Sequence, residues 1–466
     1  MLSCLGVYIY EGKYCGCYKH SLADSETSLS SHLPWCMLQE SFSCNKKFSE
    51  SRRLPNKSKM AIQHAYSYSP VCKGQELLWK ISSAAPKHIW VPGAVIIGAG
   101  PSGLAVAACL RKQGVPFLIL EKEKCIGSLW KFKTYNSLQL HLPKNFCELP
   151  YMQFPADFPS YPNKQQFISY LESYAKHFSI QPMFMQEVKN VAFEESLGLW
   201  RVESNELAFV CRWIVVATGE NAEPVIPHIA GMSEYGGRIL HTCQYKDGND
   251  FRGEKVLVVG CGNSGMEVAL DLCKKGALVS IVIRDKLHIL PREVLGRSTF
   301  GISMWMLKWL SVKQVDRLLL LYSRMVLGVT HKFGIKRPEV GPLELKNLSG
   351  KTPVLDVGTF SKIKSGEIKV VRGIRSFTKL GVEFVDGKTE AMDAVILATG
   401  YRSSVTSWLK EESLFDAKDG YPQNHFPNNW KGRNGLYCVG FARKGLLGTT
   451  LDARKVAHDI GNQWLS

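Results

Sequence analysis

Two glycine-rich turns, each set between a β-branched strand and a helix of small residues, predict an α/β protein with two Rossmann-like dinucleotide-binding domains. The turns span residues 98–103 and 260–265, and both have G-x-G-x-x-G spacing. Each unit is followed later in the chain by an apolar strand that ends in Ala-Thr-Gly, first at Ala217 and again at Ala398. This repeated order predicts that the second domain is inserted in the first.

The first turn carries the residue types that a pyrophosphate requires. Its first glycine permits the tight turn, the second lets the backbone approach the phosphates, and the third lets the helix pack against the strand. The helix start offers unpaired N–H groups to the same anion. The next strand ends at Glu121, where a carboxylate accepts hydrogen bonds from ribose hydroxyls. We therefore predict a site for FAD or NAD at Gly98, Ala99, Gly100, Pro101, Ser102, Gly103 and Glu121.

The second turn differs from the first in the residue that follows its second strand. That residue is Arg284, which pairs with a 2′-phosphate, whereas a carboxylate there would repel one. The predicted NADPH site comprises Gly260, Cys261, Gly262, Asn263, Ser264, Gly265 and Arg284. Two non-equivalent dinucleotide sites in one chain imply electron transfer from NADPH to a flavin.

Composition narrows the class of protein. The 466 residues carry a formal charge of +17, but no basic stripe with interleaved aromatic residues, so we expect no nucleic-acid partner. The 14 cysteines include no C-x-x-C pair after Val91, which favours reduced thiols in a cytoplasmic protein. Cys15 and Cys17 lack a histidine at ligand spacing, so no metal site is expected. No apolar run reaches 18 residues, and we expect no transmembrane span.

The chain divides into four predicted segments. Residues 1–88 lack sustained periodicity and are read as a poorly structured extension, with a transit peptide as the weaker alternative. Residues 89–227 form the first part of the FAD-binding domain, 228–400 the NADPH-binding domain, and 401–466 the return of the FAD-binding domain. In the last segment, the glycine-rich helix start at Gly445 is placed to direct N–H groups at the flavin ring.

An apolar helical stretch interrupted by cations spans residues 300–329. Three interpretations are open: ordinary core, which is the commonest, the wall of a substrate cavity, or an amphipathic surface facing a membrane. The last would give peripheral membrane association, including association with the endoplasmic reticulum surface.

Several stretches resemble one family. The segment 235–245 is similar to the F-x-G-x-x-x-H-x-x-x-[YF] signature of class B flavin monooxygenases, with Tyr235 in place of Phe and His241 as the histidine. Other stretches resemble the plant YUCCA branch. They are Ser-Leu-Trp at 128–130, Leu-His-Leu-Pro-Lys at 140–144, Ala-Thr-Gly-Glu-Asn at 217–221, Leu-Pro-Arg-Glu at 290–293 and Gly-Leu-Leu-Gly at 445–448. The resemblance covers about residues 89–460, and residues 1–88 have no counterpart in the family pattern.

The resemblance implies an FAD-dependent NADPH monooxygenase of auxin biosynthesis, with indole-3-pyruvate and O2 as substrates. In that reaction O2 adds at the flavin C4a position, the resulting peroxide attacks the α-keto carbon, and loss of CO2 yields indole-3-acetate. It also places Trp130 at the cofactor and suggests His141, near the flavin, as a catalytic candidate. Asn221 follows the Ala-Thr-Gly turn directly, where its amide is either a hydrogen-bond donor to the flavin peroxide or the nicotinamide, or a cap of the turn. Lys144 and Arg292 are candidates for pairing with the substrate carboxylate, but the role of a solvated cation is favoured for each.

Three other functions remain alternatives. An N- or S-oxygenating flavin monooxygenase would act on small soft nucleophiles. A non-oxygenating NADPH–flavin reductase of the disulfide type would need a redox cysteine pair beside the flavin, and Cys125 and Cys147 do not have that spacing. A nucleotide-binding scaffold would show no turnover.

Overall fold

A computed structural model describes residues 88–205, 207–411, 414–417, 419–424 and 428–466. All but the last residue of the predicted extension 1–88 lies outside these ranges. The described chain forms an α/β structure built on two large sheets, as the sequence predicts.

The first sheet has the strand order β2-β1-β5-β4-β3, with β20 also paired to β5. Strands β1, β2, β5 and β20 are parallel, whereas β3 and β4 form an antiparallel extension on β5. The bounds are β1 (His88–Ile97), β2 (Phe117–Leu120), β3 (Asn190–Glu194), β4 (Leu199–Glu203), β5 (Ala208–Val216) and β20 (Leu436–Cys438).

The second sheet is wholly parallel, with the order β14-β9-β8-β18-β7. Most residues of its strands are apolar because a parallel sheet is covered on both faces. The bounds are β7 (Arg238–His241), β8 (Lys255–Val259), β9 (Leu278–Val282), β14 (Ile368–Val371) and β18 (Ala394–Leu397).

Helices cover the sheets, and short strand pairs link them. The helices are α1 (Pro101–Lys112), α2 (Ser128–Phe132), α3 (Lys164–His177), α4 (Asn263–Lys274), α5 (Thr299–Met306), α6 (Val312–Leu327), α7 (Pro342–Ser349), α8 (Thr359–Lys364), α9 (Val405–Trp408) and α10 (Gly445–Leu465). The remaining strands are β6 (Glu223–Pro224), β10 (Ile289–Pro291), β11 (Glu293–Val294), β12 (Arg297–Ser298), β13 (Val354–Asp356), β15 (Ile374–Thr378), β16 (Gly381–Phe384), β17 (Thr389–Ala391) and β19 (Tyr401–Arg402). Single 3-10 turns lie at Lys144–Phe146, Gly248–Phe251 and Thr330–Phe333.

The two sheets repeat one local arrangement. In the first, the Ala217 N–H donates to the Ile97 carbonyl, so the Ala-Thr-Gly strand lies beside the nucleotide strand. In the second, the Ala398 N–H donates to the Val259 carbonyl in the same way. The internal repeat expected from the two Ala-Thr-Gly strands is therefore present in the fold.

The chain crosses between the two sheets at a pair of short antiparallel strands. β6 on the outward path pairs with β19 on the return path. The Val225 N–H donates to the Gly400 carbonyl at 3.0 Å, and the Thr399 hydroxyl donates to the Val225 carbonyl at 2.6 Å. The predicted boundaries after residues 227 and 400 lie next to this pair, and the boundaries themselves stay predictions.

The apolar stretch 300–329 forms α5 and α6, and only part of it is core. Val315, Leu319 and Leu327 are buried and face the body of the protein, whereas Trp305 and Trp309 are exposed. The interpretation as ordinary core therefore holds for one face of these helices only. None of the helices in the described residues is long and apolar enough to span a bilayer.

Candidate cofactor and active site

The first glycine-rich turn has the geometry that its spacing predicts. Gly98 has φ +108°, and a Cβ there would lie 2.8 Å from the Ala217 carbonyl oxygen. A Cβ on Gly103 would lie 1.9 Å from the Gly98 carbonyl oxygen, so α1 reaches its position only without a side chain there. Gly100 is different because its φ is −79° and nothing lies within 4 Å of a Cβ placed on it.

The open side of Gly100 faces a cavity of about 580 Å³, which is within the size range of ligand sites. Ala99 and Gly103 are buried behind this wall. The other predicted residues of the first site, together with Asn221, line the cavity: Gly98, Gly100, Pro101, Ser102, Glu121 and Trp130. The structure thus brings together residues from three separate stretches of the chain.

Glu121 is buried and its carboxylate already accepts hydrogen bonds from the protein. One oxygen accepts the Ala99 N–H at 2.7 Å. The other accepts the Glu123 N–H at 3.0 Å and the Ser128 hydroxyl at 3.3 Å. A carboxylate offers about four acceptor positions, so it retains capacity for a ribose hydroxyl. These bonds fix its orientation toward the cavity.

Thr218 and Glu220 also line the cavity, although they are not among the site residues that the sequence predicts. The Thr218 hydroxyl and one Glu220 carboxylate oxygen are buried with no hydrogen-bond partner among the described residues. Burial raises the pKa of the Glu220 carboxyl, against the opposing charges of Lys346 and Arg443. The Ala-Thr-Gly strand end was the available signal for these two positions, since it places them beside the first nucleotide strand.

The cavity is completed by the chain's return segment. Gly440 follows β20, and Gly445, Leu446 and Thr449 belong to the first turn of α10 or the turn after it. A Cβ on Gly440 would lie 2.2 Å from the Ser102 hydroxyl oxygen, so this residue is glycine for close packing against the start of α1. The expected placement of the helix start at Gly445 against the cofactor site agrees with its position in the cavity wall.

The second glycine-rich turn has the same local geometry as the first at its three glycines. Gly260 has φ +113°, and a Cβ on Gly265 would lie 2.1 Å from the Gly260 carbonyl oxygen. A Cβ on Gly262 again meets nothing within 4 Å. Gly262 precedes α4 and provides no side-chain cap, so the first N–H groups of Asn263 and Ser264 remain available to an anion.

The structure shows the surroundings of two side chains of this turn, which the glycine spacing does not predict. The Asn263 side-chain oxygen accepts the Leu355 N–H at 3.0 Å and so joins the turn to β13. Burial raises the pKa of the Cys261 thiol to about 11, so this cysteine is a neutral thiol at physiological pH.

Arg284 follows β9, and its side chain is 82% exposed. Its guanidinium is paired with Asp285 through contacts of 3.1 and 3.3 Å. Exposed ion pairs contribute only about 0–1 kcal/mol, so a phosphate can displace this one at small cost. The role of Arg284 as a ligand of a 2′-phosphate stays a prediction.

His141 does not line the cavity. Its Nε2 lies 2.9 Å from a carboxylate oxygen of Glu267 on α4, and the other oxygen of Glu267 accepts the Tyr135 hydroxyl at 2.7 Å. Burial lowers the pKa of the His141 imidazole, Glu267 raises it by more, and the net pKa is above the ordinary value. This cluster joins the first nucleotide unit to the helix of the second. A catalytic role for His141 stays a prediction.

The signature histidine, His241, sits at the crossing between the sheets. Its Nε2 is 3.1 Å from the Gly400 carbonyl oxygen, and its Nδ1 accepts the Cys243 N–H at 3.2 Å. The Tyr235 hydroxyl, absent from the Phe of the signature, donates to the Met392 carbonyl at 2.8 Å. All three contacts are structural and lie within the second domain and its linker.

Lys144 and Arg292, the candidates for the substrate carboxylate, are both engaged. The Lys144 ammonium donates to the carbonyls of Pro155, Ala156 and Phe158. Arg292 donates to the Gln139 side chain, and its guanidinium lies 4.1 Å from the centroid of the Tyr161 ring. Lys144 therefore has no free donor, whereas Arg292 keeps part of its donor set.

No cysteine lies among the residues that line the cavity, and the described cysteines are all free. Within the described residues no cluster of His, Cys, Asp and Glu has the arrangement of a metal site. The spacing of Cys125 and Cys147 does not suit a disulfide reductase, and neither residue lines the cavity.

Comparison with known proteins adds the family. Residues 95–293 match the family described as Pyridine nucleotide-disulphide oxidoreductase. The solved structure of a flavin-containing monooxygenase from Stenotrophomonas maltophilia has the same fold, with a TM-score of 0.63 at 21% identity, covering 81% of this chain and 100% of that one.

Sequence relatives are much closer. The chain is 58% identical to Indole-3-pyruvate monooxygenase YUCCA6 of Arabidopsis thaliana, over 82% of this chain and 93% of the relative. It is 54% identical to Indole-3-pyruvate monooxygenase YUCCA1 of Oryza sativa subsp. japonica, over 81% of this chain and 93% of the relative. At such identity over nearly the whole length of the relatives, the chain belongs to the YUCCA family of plant flavin monooxygenases.

Proposed function

We propose that the protein converts indole-3-pyruvate, NADPH, a proton and O2 to indole-3-acetate, CO2, NADP+ and water, with FAD held in the cavity of about 580 Å³. The observation that carries the proposal is the pairing of two glycine turns of equal geometry whose second strands end in residues of opposite charge, Glu121 and Arg284. The identity of the substrate is inferred from the family to which the chain belongs.

The residues of the first site fit FAD. The uncapped start of α1 and the empty space beside Gly100 suit a pyrophosphate, and the oriented Glu121 carboxylate suits a ribose. The buried, unpartnered oxygens of Thr218 and Glu220 are polar groups that a bound ligand would satisfy. The wall is mixed polar and apolar, which matches a ring system joined to a charged chain.

The residues of the second site fit NADPH for similar reasons. Gly262 leaves room for a pyrophosphate at the start of α4, and the exposed Arg284 guanidinium suits a 2′-phosphate. The contact of Tyr135 and His141 with Glu267 holds α4 against the first domain. The proposed role of this cluster is to keep the two cofactors in reach of each other.

Bound FAD supplies the redox chemistry, since it accepts a hydride from NADPH and activates O2. The chain's own task is to bind, orient and exclude water. Asn221 lies in the cavity wall after the Gly219 turn, where φ is +77°, and its amide is the proposed donor to the reacting oxygen or the nicotinamide. Trp130 packs edge-on against Phe167 at 4.4 Å, which fixes its ring in the same wall.

Product analysis tests the proposal. Purified protein with NADPH, O2 and indole-3-pyruvate is expected to form indole-3-acetate and to incorporate one atom from labelled O2. Catalase must be present, because an uncoupled flavin oxidase releases hydrogen peroxide, which itself decarboxylates α-keto acids. Product that disappears with catalase, or that lacks the label, would contradict the proposal. A preferred turnover of an amine or thioether would favour N- or S-oxygenation instead.

A disulfide-linked NADPH oxidation would favour the reductase alternative. The absence of cysteine from the cavity wall within the described residues argues against it. The scaffold alternative is tested by mixing the protein with NADPH anaerobically, where loss of flavin absorbance is expected.

A further inference from the structure

The consecutive helices α5 and α6 expose an unusual number of large apolar side chains. Trp305 and Trp309 are 63% and 78% exposed, and Leu321 and Met325 are 56% and 69% exposed. Leu318, Val326 and Val329 are also exposed. Globular proteins rarely leave such a set in water unless it meets another surface.

The exposure follows the helical repeat. On α6, Leu318, Leu321 and Met325 are three and four residues apart, so they form one stripe. The opposite face carries Val315 and Leu319, which are buried in a small core with Leu290, Leu307 and Leu343. The helix therefore has two apolar faces, of which the protein's own core uses one. Trp305 lies in the last turn of α5 and Trp309 in the turn that follows it, so both exposed indoles lie just before α6.

Cations accompany the stripe. Between residues 295 and 337 the chain has eight Lys or Arg and one acid, Asp316. Asp316 is buried and accepts the N–H groups of Leu343 and Glu344, so it does not neutralise the surface. Just beyond this segment, Glu339 is engaged with Lys286 at 3.6 Å. Lys308, Lys313, Arg317 and Arg324 are exposed and make no ion pair with the described residues.

We propose that α5 and α6 dock the protein on a membrane surface that contains anionic lipid. Indole rings favour the headgroup level of a bilayer, and the apolar stripe of α6 suits the boundary with the acyl chains. Lys313, Arg317 and Arg324 lie at spacings of four and seven, along one edge of that stripe, where they meet lipid phosphates. A purely protein partner would have to bury these three cations against acids, whereas a lipid surface supplies the charge and the apolar phase together.

The test is flotation of the full-length, flavin-loaded protein with vesicles of phosphatidylcholine, with or without phosphatidylserine. We expect binding to the anionic vesicles, weaker binding to neutral vesicles, and release as ionic strength rises. The variant Trp305→Gln/Trp309→Gln is expected to lower the partition coefficient at least about tenfold. The variant Lys313→Gln/Arg317→Gln is expected to do the same for anionic vesicles only, since each cation near such a surface contributes separately.

The matched control is Leu197→Gln/Leu380→Gln, which removes two exposed apolar side chains that lie elsewhere on the surface. It should bind vesicles as the wild type does. NADPH oxidation in solution should be unchanged in every variant, because none of these residues lines the cavity. These comparisons separate α5 and α6 from any other basic segment of the chain.

Three results would overturn the proposal. One is the absence of binding to either vesicle type, and another is binding that the tryptophan and cation variants leave unchanged. The third is a concentration-dependent dimer that the tryptophan variant abolishes while vesicle binding is absent, because it would assign the surface to a second copy of the chain.

Discussion

Replacement of Gly100 by alanine separates the binding of a pyrophosphate from the folding of the turn. The backbone at Gly100 has φ −79° and ψ −174°, which any L-residue adopts, and nothing lies within 4 Å of the added Cβ. The methyl group would therefore occupy only the space beside the start of α1, in the wall of the cavity. In the absence of ligand, the expected change in the free energy of unfolding is within about 1 kcal/mol.

With FAD present, the same methyl group would meet the pyrophosphate that is proposed to bind beside Gly100. Forcing a methyl group into a packed contact costs about 1–3 kcal/mol, which corresponds to roughly a 5–150-fold increase in Kd. The protein is expected to purify with most of its flavin missing, and titration with FAD should show the weakened Kd. Absorbance of the flavin measures the first quantity, and thermal unfolding of the flavin-free protein measures stability.

Two further glycines serve as controls. Gly262 has the same open geometry in the second site, so the Gly262→Ala variant should retain flavin and bind NADPH more weakly. Gly103→Ala places its Cβ 1.9 Å from the Gly98 carbonyl oxygen, so it should destabilise the fold itself. A Gly100→Ala protein that purified with a full complement of FAD would refute the assignment of this cavity. A variant that lost flavin because it had unfolded would instead contradict the expectation that the turn at Gly100 accepts alanine.

Three other predictions follow from single contacts. Arg284→Ala should raise the KM for NADPH about 10–100-fold and leave that for NADH nearly unchanged, because only the 2′-phosphate loses a charged partner; equal effects in steady-state assays would disprove it. Burial raises the pKa of Asp452 to about 7, so the folded state holds this proton more tightly than the unfolded state does. The free energy of unfolding of the wild type should therefore fall by up to about 4 kcal/mol as the pH rises from 4 to 7. Asp452→Asn should therefore be the more stable protein at pH 8 but not at pH 4, and parallel thermal melts across the range would argue against the shift. Tyr135→Phe removes the hydroxyl that donates a hydrogen bond to Glu267, and should lower the free energy of unfolding by about 1–3 kcal/mol. Denaturant titration measures this change, and an unchanged midpoint would show that the contact is not retained in solution.

The two glycine turns were predictable because their requirements are local. A positive φ at Gly98 and the close approach at Gly103 can be met only by glycine, so the spacing itself reports the geometry. The Ala-Thr-Gly strands were recognisable for a similar reason, since a buried parallel strand is a short apolar run with a small residue at its end. The α/β class, the two nucleotide units and the insertion followed from these elements in order.

The roles of long polar side chains were not predictable in this way. His141 lies against Glu267 only because the first domain packs on α4, and no pattern within either segment encodes that meeting. Lys144 is saturated by three carbonyls of a loop that folds back on it. Thr218 and Glu220 join the cavity because parallel strands end at one edge of the sheet.

The helices of residues 300–329 show most clearly what the sequence determines and what tertiary packing decides. Their periodicity specifies amphipathic helices, because residues three and four apart fall on one face. Since α6 has apolar residues on two faces, periodicity alone does not state which face the core covers. Only the packing of Val315 and Leu319 on Leu290 and Leu343 decides this, and it leaves Leu321 and Met325 in solvent. The sequence determined the backbone geometry of the nucleotide turns, and the tertiary structure decided which side chains meet, because contacts between distant segments depend on how whole elements pack.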